Sequence, residues 1–286
     1  MLFCLSLLTL LVGSLIIPEM TKTSLLSSVV NIFINPVRML TKLLGFNAKR
    51  FLDLRHFPKY FRQYLRFQNL GGLITGSSMV LADYDEPAGS ATGHYFHQDL
   101  LVASYIHHSN PRRHIDIGSR IDGFVAHVAS FRKIEVMDVR ALKSVGHENI
   151  SFIQADLMND ESAKSGVTDS ISCLHAIEHF GLGRYGDPLD PNGHKKGLTN
   201  ILRMLKIGGL AYISFPIAKQ NQVVFNAHRI FHPLDVFTWL NDPDSIQLER
   251  FDYVDDFGNL HCNIDIKKMT LDFFYGCGIY TFRKIR

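Results

Sequence analysis

Hydrophobic and polar positions alternate in a regular way only from about residue 94 onward. There "YFHQDLLVASYIHH" reads as a helix and "RHIDIG" as a short buried strand. "GFVAHVASF" reads as a helix, "KIEVMDV" as a second strand, "ISFIQADL" as a third and "DSISCLHAI" as a fourth. "GLTNILRMLKIGG" reads as a helix that stops on its glycine pair, and "LAYISFP" as a fifth strand. "SIQLERFDYVDD" and "CGIYTFRKI" give two late strands. Strands alternating with helices predict an α/β fold: a Rossmann-like, mostly parallel seven-stranded sheet with helices on both faces.

The first 93 residues follow a different pattern. Residues 2–17, "LFCLSLLTLLVGSLII", are an uninterrupted apolar run, short for a membrane span and without a preceding Lys or Arg. An anchor, a cleaved signal and a non-functional extension all fit residues 1–19, and Met20 offers a second start. If residues 1–17 span a membrane, the basic residues after them place the body on the cytoplasmic side; otherwise the chain is cytoplasmic. Residues 20–72 predict a basic and aromatic helical extension with a break near Pro36, and residues 73–93 a linker or lid. The α/β domain then occupies 94–286.

Charge follows the same division. Residues 21–72 carry nine Lys/Arg and one acid, Asp53, whereas residues 73–286 carry 21 Lys/Arg against 25 Asp/Glu. The basic character belongs to the extension, so residues 1–50 are where membrane association is expected, and nucleic acid is a poor partner for the acidic body. The four cysteines, Cys4, Cys173, Cys262 and Cys277, show no CxxC spacing and predict neither a disulfide framework nor a structural zinc site.

In a parallel sheet, ligands bind beyond the C-terminal strand ends, near the switch in strand order. Each strand end here carries small or polar residues. Strand one ends in Asp116-Ile117-Gly118-Ser119. Gly118 permits a tight turn beneath a ligand, and Asp116 would hold a cation or order the loop. Strand two ends in Asp138, placed to accept from ribose hydroxyls, 20 residues after Gly118. Strand three ends in Asp156, which would accept from an adenine amino group.

This order resembles a class I S-adenosylmethionine-dependent methyltransferase. "HIDIGS" is similar to the first cofactor motif, "EVMDV" to the acidic strand-two motif and "IQAD" to the adenine-proximal one. "LHAIEHF" resembles the strand-four element, and "MLKIGGLAYISFP" the helix and strand that follow. More narrowly, "GHYFHQDLLVA", "DIGSRIDGFVAHVA", "CLHAIEHFGLGRYGDPLDPNGH" and "FNAHRIFHP" resemble the DUF268 family of unknown function. The resemblance covers about 90–286. It implies S-adenosylmethionine as cofactor, contacted by Asp116, Gly118, Ser119, Arg120, Asp138, Asp156 and His175. A typical turn of the family has Gly where Arg120 stands, and often where Asp122 stands. Arg120 would either crowd the methionine part of the cofactor or fork onto its carboxylate.

His175, Glu178 and His179 spell HxxEH, the inverted zincin pattern, which needs both histidines on one helix face. The motif follows a strand, so no metal ligand is assigned. His179 is the candidate general base, with Glu178 or His194 as helper. Arg184, Tyr185, Asp187, Asp190, Asn192 and His194 would line the substrate mouth, and Asn226, His228, Arg229 and His232 would close it. A groove this polar suits a small or glycan-type hydroxylated acceptor. The competing expectations are a nicotinamide-dependent oxidoreductase, weakened by the missing GxGxxG, and a catalytically inactive, membrane-associated interaction protein.

Overall fold

The computed structural model describes residues 52–143 and 146–286. The chain divides at 90/91 into two compact units. The expectations for residues 1–19, and for the extension up to residue 51, lie outside the described residues. Among the described residues, no helix is long and apolar enough to cross a membrane.

In the first unit, helix α1 (Phe57–Asn69) begins with Pro58 in its first turn, where a missing N–H costs nothing. None of its residues is buried, and Phe57, Phe61 and Leu65 follow one another at four-residue spacing on its exposed apolar side. The segment expected as a linker folds back on this helix. The Asp85 carboxylate accepts from His56 Nε2 at 2.7 Å and from the Arg55 guanidinium, Tyr84 donates to Gln63, and Lys59 Nζ lies 4.2 Å from the Tyr84 ring centre.

The second unit is the α/β body. Helix α2 (His94–Ser109) leads into β1 (His114–Ile117), all four residues of which are buried. A turn at Ile121–Val125 and the short helix α3 (Ala126–Ala129) lead to β2 (Ile134–Asp138), β3 (Ile150–Gln154) and β4 (Thr168–Leu174). Helix α4 (Gly193–Met204) runs directly into β5 (Leu205–Ile217). A hairpin of β6 (Gln222–Val224) and β7 (His228–Ile230) follows, then β8 (Ile246–Val254), β9 (Leu260–His261) and β10 (Gly276–Lys284).

The main sheet has the order β3-β2-β1-β4-β5-β10-β8-β9. The first five strands are parallel; β10 pairs antiparallel with both β5 and β8. Rossmann-like topology is therefore present, with eight strands rather than seven. The eighth, β9, has only two residues, too few for alternation to betray it, and β6 with β7 forms a separate two-stranded sheet.

Side-chain alternation feeds two cores. On β5, Ala211, Ile213, Phe215 and Ile217 point to the face covered by α4 and Trp239, while Tyr212 points to the face covered by α2 and α3. Ile115 and Ile117 of β1 join the first core. His114, which begins the strand, is fully buried, its two ring nitrogens 2.8 Å from Ser170 Oγ and 3.1 Å from Ser172 Oγ.

One boundary differs from expectation. Helix α4 ends at Met204, before the glycine pair, and the strand starts at once. The helix C-terminus needs no glycine cap because Lys284 Nζ, from β10, donates to the carbonyls of Leu202, Arg203 and Leu205 at 3.2, 3.4 and 2.9 Å. Gly208, with φ 82°, makes a turn inside the residues assigned to β5.

Candidate functional site

The strand order reverses between β1 and β4, and the large cleft lies beyond their C-terminal ends, where a doubly wound sheet binds ligands. It encloses about 660 Å³, bordered by Gly118, Ser119, Glu178, His179, Tyr185 and His228 among others. A narrow slot of about 60 Å³ adjoins it between Gly118, Met137, Asp138, Asp156, Met158 and Phe180. Gly118, Arg140, His175, His179 and Tyr185 border both.

The turn after β1 explains the sequence that opens it. Gly118 has φ 73°, and a Cβ there would sit 2.9 Å from Ala176 Cβ. The turn is held from below by Asp116, whose carboxylate accepts from Ser172 Oγ (2.6 Å), Ser119 Oγ (2.8 Å) and Ser119 N–H (3.1 Å). Asp116 is fully buried and borders neither cavity; burial raises its pKa to about 7 against the pull of those donors. It orders the loop, the second of its two expected roles.

Arg120 and Asp122 form an ion pair at the exposed rim, with Nε–Oδ1 3.0 Å and Nη2–Oδ2 2.8 Å, both side chains more than 70% exposed. Arg120 borders the larger cleft but its fork is taken by Asp122. Gly123 fills the need for a small residue: a Cβ there would lie 3.2 Å from Asp99 Oδ2.

The acids at the next two strand ends face the slot. Asp138 is almost buried, and Arg140 binds it through its backbone N–H (2.8 Å), Nε (2.9 Å) and Nη2 (2.5 Å). The Arg140 guanidinium also lies 4.5 Å from the Tyr185 ring centre. Asp156 accepts from Met158 N–H at 2.8 Å with one oxygen.

His175 stands just beyond β4 with φ 48°, a conformation that costs a non-glycine residue energy. Its Nδ1 is 2.9 Å from Glu178 Oε1. Burial opposes charge on this ring, but Cys277 and Glu178 outweigh it and hold its pKa above the ordinary value. Ile177–His179 is a single turn of 3₁₀ helix, so the two histidines of HxxEH do not share a helix face. Glu178 is buried with Oε1 3.7 Å from His179 Nε2. His179 Nδ1 is 2.7 Å from the Ala227 carbonyl, which can only accept, so the ring holds its proton there and leaves Nε2 as the basic nitrogen. Burial lowers the pKa of His179, which keeps it neutral at pH 7.

His194 is the misplaced candidate. It sits in the first turn of α4, buried against Phe231 and Trp239 at ring distances of 5.1 and 4.9 Å, away from both cavities. Burial lowers its pKa to about 3, and it belongs to the core. Arg229 likewise does not face the cleft. It is buried and donates to the carbonyls of Phe180 (2.6 Å), Glu178 (3.3 Å), Asp190 (3.3 Å) and Pro191 (3.5 Å), fastening the loop 181–192. Asp187 borders the slot, yet its carboxylate accepts from the N–H groups of Gly181, Gly183 and Tyr185. Asp190 pairs with Lys196 at 2.7 Å. Arg184, Tyr185 and His228 are the mouth residues that border the cleft; Asn192, Asn226 and His232 do not.

Sequence reasoning missed Arg140, which follows the strand-two acid by two residues, and the helix residues Tyr95, Gln98 and Asp99. The signal for the latter was the run "HYFHQDLL", with polar residues inside an otherwise apolar helix. Gln98 is 1% exposed and its Oε1 accepts from Ser214 Oγ at 2.6 Å.

Comparison with known proteins finds distant structural likenesses and one family. The first of the matching solved structures is a Burkholderia thailandensis 1,6-didemethyltoxoflavin-N1-methyltransferase, 14% identical over 66% of this chain and 79% of that one, with a TM-score of 0.48. The N-methyltransferase NodS from Bradyrhizobium japonicum is 12% identical over 69% of this chain and all of that one, with a TM-score of 0.44. With TM-scores this low, neither likeness says what this chain acts on. No curated protein matches the chain. The family profile described as "Caenorhabditis protein of unknown function, DUF268" matches residues 127–269, half of the chain, from α3 past β9. The profile covers nearly all of the slot's lining, whereas the helix α2 and β1-turn side of the cleft lies before it. The chain thus belongs to the DUF268 family.

Proposed function

We propose that this protein is an S-adenosylmethionine-dependent methyltransferase acting on the hydroxyl of a small or glycan-type acceptor. The observation that carries the reading is the pairing of the positive-φ Gly118 turn with the Asp138 carboxylate across one slot at the switch point. A ribose set on that slot would find Asp138 as acceptor for both hydroxyls, Asp156 beside the base and apolar walls from Met137, Leu157 and Phe180. These residues fit the nucleoside half of the cofactor, provided Arg140 releases Asp138. Arg120, tied to Asp122 at the rim, leaves the floor of the cleft open.

The cofactor supplies a methyl group already activated on its sulfonium. The chain has to align the acceptor and take its proton. His179 is neutral, with Nε2 as its basic nitrogen and Nδ1 fixed by Ala227, and it borders the cleft. It is the proposed base, and Glu178 the positioning residue that stabilises the imidazolium. Arg184, Tyr185 and His228 supply donors for a hydroxylated acceptor.

The test is calorimetric titration of the full chain with S-adenosylmethionine, S-adenosylhomocysteine and NAD, with Asp138→Ala in parallel. Micromolar binding of either sulfur compound, lost in the variant, supports the proposal. Binding of NAD alone would move the reading to an oxidoreductase, and no binding to folded protein would mark an inactive relative.

A further inference from the structure

On the side of His175 away from the slot, three side chains from three elements converge. His94 starts α2, His175 follows β4 and Cys277 lies in β10, and one ligand atom from each lies within 4.8 Å of the other two. The His175 side chain is 4% exposed, and its Nε2 is buried without a hydrogen-bond partner. Its other nitrogen rests on the Glu178 carboxylate. A carboxylate on one nitrogen and an unpartnered second nitrogen is the arrangement that orients a metal-bound histidine. Cys277 is fully buried beside His175, and its sulfur's hydrogen bonds are long, 3.7 Å to Gln98 Oε1 and 3.8 Å to the Gly278 carbonyl.

We propose that His94, His175 and Cys277 form a binding site for a divalent cation of the zinc class. Two imidazoles and a thiolate are the donor set that zinc prefers over hard cations such as magnesium or calcium. Tetrahedral zinc with bonds of about 2.0–2.3 Å places its ligand atoms roughly 3.3–3.8 Å apart. The cluster, with its ligand atoms up to 4.8 Å apart, therefore has to close by up to about 1.5 Å. His94 is the member that has to move: it sits in the first turn of its helix, behind Gly93 at φ 94°, and reaches a metal only by giving up its hydrogen bond to the Tyr275 backbone and its stacking on the His175 and Tyr275 rings. On binding, the Cys277 thiol proton and the proton that charged His175 carries on Nε2 both leave for solvent, Nδ1–H stays on Glu178, and both rings bind through neutral nitrogens.

Three protein ligands leave a fourth position. His94 and His175 both border a cavity of about 460 Å³ together with Asp255, Asp256 and Tyr275. The acids there are committed: Asp255 accepts from the Phe257 and Asn259 N–H groups and from His261, and Asp256 from the N–H groups of Phe274 and Tyr275. The fourth ligand is thus a water or an oxygen of a bound molecule. The site needs no bound cofactor, so it stands or falls independently of methyl transfer.

The experiment is titration of the full chain, stripped with chelator under reducing conditions, with Co²⁺ and then Zn²⁺. The expected result is a thiolate-to-cobalt absorption that saturates at one equivalent and is abolished by Zn²⁺. Cys277→Ser should remove the band, and His94→Gln should weaken binding at least tenfold; Cys262→Ser and Asp138→Ala should leave it unchanged. Circular dichroism confirms folding of each variant, and His94→Gln, at a helix start, decides the matter if Cys277→Ser does not fold. No thiolate band, or a band unchanged in both ligand variants, overturns the site.

Discussion

Arg140 grips Asp138 at two points, Nε on Oδ1 at 2.9 Å and Nη2 on Oδ2 at 2.5 Å, at the end of β2. The carboxylate proposed for the ribose hydroxyls is therefore already occupied by a cation. Arg140 is about half exposed, and an ion pair of that exposure is worth about 0.2–1 kcal/mol. Arg140→Ala should then tighten S-adenosylhomocysteine binding by roughly 2–5-fold at low salt, with the gain shrinking as salt screens the pair. Asp138→Ala, which removes the acceptor itself, should weaken binding by at least about tenfold. Calorimetry on the two variants checks both. Weaker binding in Arg140→Ala would show that this guanidinium serves the ligand rather than competing with it.

Gly118→Ala tests the turn. A side chain at φ 73° costs roughly 1–2 kcal/mol, and the new Cβ would meet Ala176 Cβ at 2.9 Å, so one of the two strand-end loops must shift. A loss of about 1–3 kcal/mol in urea unfolding is expected, together with loss of cofactor binding. Gly146→Ala is the control, since a Cβ there meets nothing within 4 Å.

Acid stability has a sign set by two opposed groups of residues. Burial lowers the pKa of His114 and His194 to about 3 and of His94 to about 4, from an ordinary 6.5. A histidine depressed in the fold contributes stability above pH 6.5, lost as pH falls, because the unfolded chain takes up the proton first. Asp116 acts in reverse. Its folded pKa of about 7 lies above its ordinary 3.8, so its contribution is fully present below 3.8 and is lost as pH rises toward 7. Three histidines outweigh one aspartate, so the urea midpoint should fall between pH 6.5 and 4. Asp116→Asn removes the opposing contribution and should steepen that fall; midpoints measured at half-unit steps decide it.

Much of this was legible in the sequence, for reasons that can be named. Asp138 and Gly118 announce themselves because strand ends in a parallel sheet converge on one edge, so position along the chain already implies position in space. His194 could not be placed this way. Its distance from His179 in sequence says nothing about which side of α4 it occupies, and Phe231 and Trp239, the rings that enclose it, lie beyond the next strand. Arg229 was misread for a similar reason: a buried guanidinium serving four carbonyls looks, in sequence, like a mouth residue. The end of α4 was hidden because its cap, Lys284, lies some 80 residues away. Cys277 and His94 belong to opposite ends of the body, and only the sheet order brings them to His175.

Arg229 carries the last prediction. The loop 181–192 turns so tightly that a Cβ at Gly181 would lie 2.0 Å from the Asp190 carbonyl, and four carbonyls of this region face one guanidinium. Burial lowers the pKa of Arg229, with Asp187 and Asp190 opposing, but a guanidinium stays charged at neutral pH. Hydrogen bonds from a charged donor are worth about 1.5–3 kcal/mol each, and the geometry is good only for Phe180, at 2.6 Å. Arg229→Gln should therefore cost about 2–4 kcal/mol in unfolding free energy. It should also open the loop to proteolytic cleavage near Arg184 while the sheet stays folded. Lys196→Ala, which removes the exposed partner of Asp190, should cost less than about 1 kcal/mol. Equal losses in the two variants would mean that the loop is held by its surface charges and not by the arginine beneath it.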